Sequence, residues 1–123
     1  MILADTSVWI DHLRIGNNAL RDFLGRGRVL GHPFVTGELA LGNLKQRDIV
    51  LGALRRLPQA IVASHEEMLR LIEYQPLHGF GIGYVDAHLL AAVRLTAGAK
   101  LWTWDRRLRT VATQLGLAAA PNR

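Results

Sequence analysis

Apolar residues along the chain fall in short runs that alternate with amphipathic stretches at helical spacing. Ile2-Leu3-Ala4 predicts a short buried strand closed by Asp5. Val8 to Arg14 then reads as a helix, with Trp9 and Leu13 four residues apart on one face. Asn17 or Asn18 is placed to cap a second helix through Leu24, ended by Gly25 and Gly27. Arg28 to Gly31 predicts a second strand, stopped by Pro33. Thr36 opens a helix carrying Leu39, Leu41 and Leu44, and Asp48 to Leu57 forms its partner before Pro58.

Ala60 to Ala63 predicts another short strand. Ser64-His65-Glu66-Glu67 has capping-box spacing and opens a helix with Met68, Leu69, Leu71 and Ile72. Gln75 to Gly83 holds one proline and three glycines and predicts a flexible loop. Tyr84 to Thr96 is a long apolar helix ended near Gly98. Leu101 to Trp104 is a strand, Asp105 caps the next helix, and Leu117 to Ala119 predicts an edge strand. No repeat or linker divides the sequence, so one domain over residues 1–123 is expected. The alternation of strand and helix favours a parallel sheet covered by helices on both faces, with its site at the carboxyl ends of the strands.

Composition narrows the classes. Half the residues are apolar, yet charges interrupt every apolar run before the roughly 20 residues of a membrane span. The longest uncharged stretch, Thr110 to Asn122, is too short to cross a bilayer. The start lacks the basic region of a secretory signal, and no cysteine is present for a disulfide or thiolate site. A cytoplasmic location with no membrane association is the expectation. Fifteen Lys and Arg, thirteen of them Arg, face ten Asp and Glu, a net charge of +5. The guanidinium fork suits phosphate, so a basic body points to a polyanion.

Four of the ten acids, Asp5, Glu38, Asp86 and Asp105, fall where a predicted strand hands over to a helix or in a helix's first turn. Asp5 and Asp105 follow their strands directly, and Glu38 falls in the first turn of the helix after the second strand. From Asp86 the helix runs about ten residues away from that edge, roughly 15 Å. The strand from Lys100 to Trp104 returns by roughly 16 Å, so Asp86 and Asp105 are expected to be neighbours. Each acid alone also reads as a simple cap or dipole partner. Together, four repelling carboxylates suit a hard cation, and oxygen ligands without His or Cys point to Mg²⁺ or Mn²⁺, one or two ions. Such a site favours phosphodiester hydrolysis with water as the attacker. Ser7 and Thr103, two residues from Asp5 and Asp105, offer hydroxyls to a carboxylate or to a backbone cap.

At these residues the sequence resembles the PIN-domain ribonucleases, and within them the VapC-type toxins of toxin–antitoxin pairs. The matching segments are Asp5-Thr6-Ser7-Val8-Trp9-Ile10, Thr36-Gly37-Glu38-Leu39-Ala40, Val85-Asp86-Ala87-His88-Leu89-Leu90-Ala91-Ala92 and Thr103-Trp104-Asp105. The resemblance implies an α/β/α sandwich around a parallel sheet of four or five strands. It implies an endoribonuclease that cleaves single-stranded RNA with Mg²⁺ or Mn²⁺, with Asp5, Glu38, Asp86 and Asp105 as metal-binding and catalytic acids. Thr103 and Ser7 match the family's hydroxyl positions. Many members carry a further acid two residues after the last, followed by Phe; here Arg107 and Leu108 stand there, which bears on a second ion. A cognate VapB-type antitoxin that blocks the site, a homodimer, and DNA contact only through the antitoxin are further implications.

Arg106, Arg107 and Arg109 flank the last acid and suit RNA phosphates, or else form a solvated helix face. Asp11 and His12 read as surface or antitoxin contacts, His88 as structural, and His65 and His78 as helix-start and loop residues. Trp9 and Trp102 suit packing more than base stacking. Gly79, Gly81 and Gly83 suit a mobile lid or RNA-contact loop, since no strand precedes them as in a dinucleotide fingerprint. A non-catalytic RNA- or protein-binding module on the same scaffold is the alternative, but it has no use for four repelling acids. A phosphotransfer domain would want an acid two residues past Asp5, where Ser7 stands.

Overall fold

A computed structural model describes residues 1–119. The last part of the uncharged run, 120–122, lies outside the described residues. The elements follow in the order β1 (Ile2–Ala4), α1 (Thr6–Ile15), α2 (Asn18–Gly25), β2 (Val29–Leu30) and α3 (Pro33–Ala40). Then come α4 (Arg47–Arg56), α5 (His65–Tyr74), α6 (Tyr84–Leu95), β3 (Lys100–Trp102) and α7 (Arg106–Gln114).

The sheet has the order β2-β1-β3 with every pair parallel. Leu3 and Ala4 are adjacent on β1 and both fully buried. Neighbouring strand residues point to opposite faces, so helices cover the sheet on both sides. Single parallel bridges, Gly31 to Gln59 and Leu101 to Ala118, extend the two edges. The edge strand expected over Leu117 to Ala119 is thus present as a bridge position at Ala118, and the regular sheet has three strands among the described residues. The stretch from Ala60 to Ala63 differs: only Ala60 bonds back, to the Gly31 carbonyl at 2.9 Å. Ile61 instead donates to the Thr96 hydroxyl at 3.0 Å, and the chain leaves the sheet.

Helix α6 is the centre of the core. Seven consecutive residues, Ala87 to Val93, are buried, so helix or sheet covers it on nearly every side. Trp102 fills the largest buried volume, in edge contact with Phe23 and Trp104. Trp9 is also buried, in agreement with packing roles for Trp9 and Trp102. A smaller apolar cluster of Ala63, Met68, Ala87 and Ala91 joins α5 to α6.

Two helices begin earlier than the apolar spacing predicts. α1 starts at Thr6 because the Asp5 carboxylate caps it through the Val8 amide. α3 starts at Pro33, a residue suited to a first helical position, with His32 Nδ1 accepting from the Phe34 amide at 3.0 Å. Glu38 therefore sits in the second turn of its helix, not the first. α5 begins at His65 behind a complete Ser64/Glu67 capping box, as its spacing predicts.

Candidate active site

The carboxyl ends of β1 and β3 deliver Asp5 and the turn from Thr103 to Asp105 side by side. Asp5 donates its backbone N–H to the Trp102 carbonyl at 3.0 Å, which locks the two strand ends together. Its carboxylate is buried, at 5% exposure, and takes three donors. Oδ1 accepts from the Ser7 hydroxyl at 2.5 Å and from the Val8 amide at 3.2 Å, and Oδ2 accepts from the Thr103 hydroxyl. Burial pushes the Asp5 carboxyl above its ordinary value, and the bonds from Ser7, Thr103 and Val8 pull the other way.

The same hydroxyls also hold the neighbouring loop. Ser7 Oγ accepts from the Trp104 amide at 3.0 Å, and Thr103 Oγ1 accepts from the Asp105 amide at 2.9 Å. Thr103 therefore serves the carboxylate of Asp5, ninety-eight positions away, and not that of its own neighbour Asp105. β3 ends at Trp102, so Asp105 follows a two-residue turn and then caps α7 by accepting from the Leu108 amide at 3.0 Å. Both aspartates that close strands are thus N-caps, and the capping role does not disperse them.

Glu38 reaches back from α3 to α1, where its Oε1 accepts from the Thr6 hydroxyl at 2.6 Å. Thr6 escaped the sequence reading; its place beside Asp5 was the available signal. Asp86 stands in the first turn of α6, half-buried. Its carboxyl is raised above the ordinary value by burial first, then by the negative charges of Asp105, Asp5 and Glu38, against a backbone hydrogen bond from Gly83. Asp105, Asp5 and Glu38 therefore each lie within electrostatic reach of Asp86. The four acids do not yet form a coordination shell: among the described residues no three His, Cys, Asp or Glu side chains are close enough to hold an ion between them. Local donors occupy Asp5, Glu38 and Asp105.

Arg106, Arg107 and Arg109 are exposed on α7 beside Asp105. His88 is buried in edge contact with the Phe34 and Tyr84 rings, at 4.6 and 4.7 Å, a packing role as expected. His65 opens α5 and hydrogen-bonds the Tyr84 hydroxyl at 2.6 Å, and His78 lies in the loop before α6. His12 accepts from the Asn17 amide at 3.0 Å and packs against Trp9, so part of its ring is spent internally.

The family model of the PIN domain matches residues 2–114. The chain belongs to the PIN-domain family. Its α/β architecture with a parallel sheet is that family's fold, and its similarity lies among the VapC-type members. Ribonuclease VapC32 of Mycobacterium tuberculosis, strain CDC 1551 / Oshkosh, is 50% identical over 120 residues, covering 98% of this chain and 97% of the relative. The protein of the same name from strain ATCC 25618 / H37Rv matches to the same extent.

Proposed function

We propose that this PIN-domain protein is an endoribonuclease toxin, dependent on Mg²⁺ or Mn²⁺ and restrained by a cognate antitoxin. The observation that carries the reading is the PIN-family match over residues 2–114, and the charges of Asp5, Glu38 and Asp105 near Asp86 support it. An all-oxygen set of four carboxylates fits one or two hard divalent ions and offers nothing to a thiophilic metal. Asp5, Glu38, Asp86 and Asp105 would hold the ion, which supplies Lewis-acid activation of water and neutralises charge on the phosphodiester. Ser7 and Thr103 hold the Asp5 carboxylate in one orientation, and Thr103 ties it to the amide of Asp105. Arg106, Arg107 and Arg109 hold RNA phosphates beside the acids. The name of the relatives, ribonuclease, supports the same reaction class.

A groove of about 460 Å³ supports the antitoxin as partner. Ile10, Leu13, Leu39, Leu44 and Val50 give it apolar walls, and Glu38 lies on its rim. An apolar peptide segment suits those walls, with Arg14 and Lys45 beside Glu38 in the lining. The exposed Ile61, Val62, Leu69 and Tyr74 around α5 suit a second copy in a homodimer. DNA would be reached only through the antitoxin. No helix among the described residues is long and apolar enough to cross a membrane, and we place the protein in the cytoplasm as one domain.

The test is cleavage of single-stranded RNA by purified protein. Wild type should cleave with Mn²⁺ or Mg²⁺ and stop with EDTA, and Asp5→Asn should be inactive with an unchanged circular-dichroism spectrum. Cleavage that survives either EDTA or Asp5→Asn would overturn the proposal.

A further inference from the structure

Three arginines stand in the first four residues of α7, Arg106, Arg107 and Arg109. The first turn of a helix favours anions, so cations gain nothing from the helix there. Nor do they gain from ion pairs. Among the described residues the one Lys or Arg salt bridge joins Arg26 to Asp22, on another helix.

Arg107 lies against a glycine of a neighbouring segment. A Cβ added to Gly81 would fall 2.9 Å from Arg107 Nη1, 3.1 Å from Cδ and 3.4 Å from Cζ. The guanidinium therefore lies along the glycine, in space that any side chain would take. Gly81 also has φ +76°, a conformation other residues rarely adopt. It belongs to the segment that leads into α6, five positions before Asp86, whereas Arg107 is two positions past Asp105. The contact thus joins the two helix starts that carry Asp86 and Asp105.

We propose that Arg107, laid against Gly81, is the residue that grips an RNA phosphate at the acid site, with Gly81 as the positioning residue that makes its seat. The proposal rests on the nuclease reading. An exposed guanidinium whose stem packs along a glycine loses less freedom on binding than one with no neighbour. Its planar fork matches two phosphate oxygens. Arg106 and Arg109 then contribute diffuse charge, and Arg107 contributes the directed contact.

The experiment compares wild type, Arg107→Gln, Gly81→Ala, Gly79→Ala and the Gly81→Ala/Arg107→Gln double variant. Steady-state cleavage is measured with Mn²⁺ on labelled single-stranded RNAs of several sequences, and binding by fluorescence anisotropy over a range of salt. Gly79 is the control for backbone strain, since its φ is +84° but an added Cβ meets nothing within 4 Å. Arg107→Gln should raise KM and Kd about tenfold on every sequence, with kcat nearly unchanged and a salt slope smaller by about 0.7. Gly81→Ala should raise KM severalfold, Gly79→Ala should not, and the double variant should match Arg107→Gln alone. An unchanged KM in Arg107→Gln while wild type cleaves sinks the arginine assignment and spares the nuclease. Equal effects of Gly81→Ala and Gly79→Ala, or additivity in the double variant, sinks the seat. Wild type that neither binds nor cleaves RNA sinks both readings.

Discussion

Asp5 is a nearly inaccessible carboxylate that accepts from three donors, and Thr103 is the one that comes from across the sheet. Thr103 is itself buried, so no water replaces its hydroxyl when it is removed. Thr103→Val keeps the shape and leaves one lobe of the Asp5 carboxylate without its partner. The expected cost is about 2 kcal/mol in urea denaturation, since hydrogen bonds to buried charges are worth about 1.5–3 kcal/mol. RNA cleavage should fall with it, because the Asp105 amide loses its acceptor at the same time. A midpoint equal to wild type would show that the hydroxyl is not needed there. The presence of hydroxyls two residues from Asp5 and Asp105 was legible in the sequence. Which carboxylate each one serves was not, because the Thr103 bond spans ninety-eight positions and depends on the register of β1 against β3.

Elements were legible where their signals are local. The Ser64/Glu67 box fixes the start of α5, and the long apolar run fixes α6. α3 starts ahead of what the apolar spacing predicts: histidine is not among the usual capping residues, and Pro33 reads in the sequence as a strand stop. The strand expected over Ala60 to Ala63 fails for a tertiary reason, as the Thr96 hydroxyl draws the Ile61 amide away from the sheet. The His32 cap has a consequence in acid. Burial, and then the charge of nearby His88, depresses the His32 pKa from 6.5 to about 4. Protonation therefore favours the unfolded chain. The stability it protects is complete above pH 6.5 and is lost as pH falls from 6.5 towards about 4. His32→Asn keeps an acceptor for the cap and removes that titration. Urea denaturation from pH 7 to pH 4 should show a shallower decline for the variant than for wild type. Parallel declines would place the acid sensitivity elsewhere.

At the scale of the whole molecule, the sequence already implied a parallel sheet with its acids on one edge, because strand–helix alternation dictates where each junction lies. The separation of the carboxylates was not legible. It depends on side chains such as Thr6, which holds Glu38 through a bond between two helices. Apart from Asp5, Glu38, Asp86 and Asp105, fifteen cations face six acids, so the rest of the chain is strongly basic beside the proposed acid site. That contrast is what a metal-assisted reaction on a polyanion needs: long-range attraction outside and local charge for an ion inside. The most direct measurement is anomalous diffraction from crystals of the full chain soaked in Mn²⁺ at a concentration that supports RNA cleavage. A manganese peak bounded by Asp5, Asp86 and Asp105, with Glu38 turned towards it, is the expected result. Manganese bound only elsewhere, or none at all while RNA is still being cut, would contradict a shared carboxylate site.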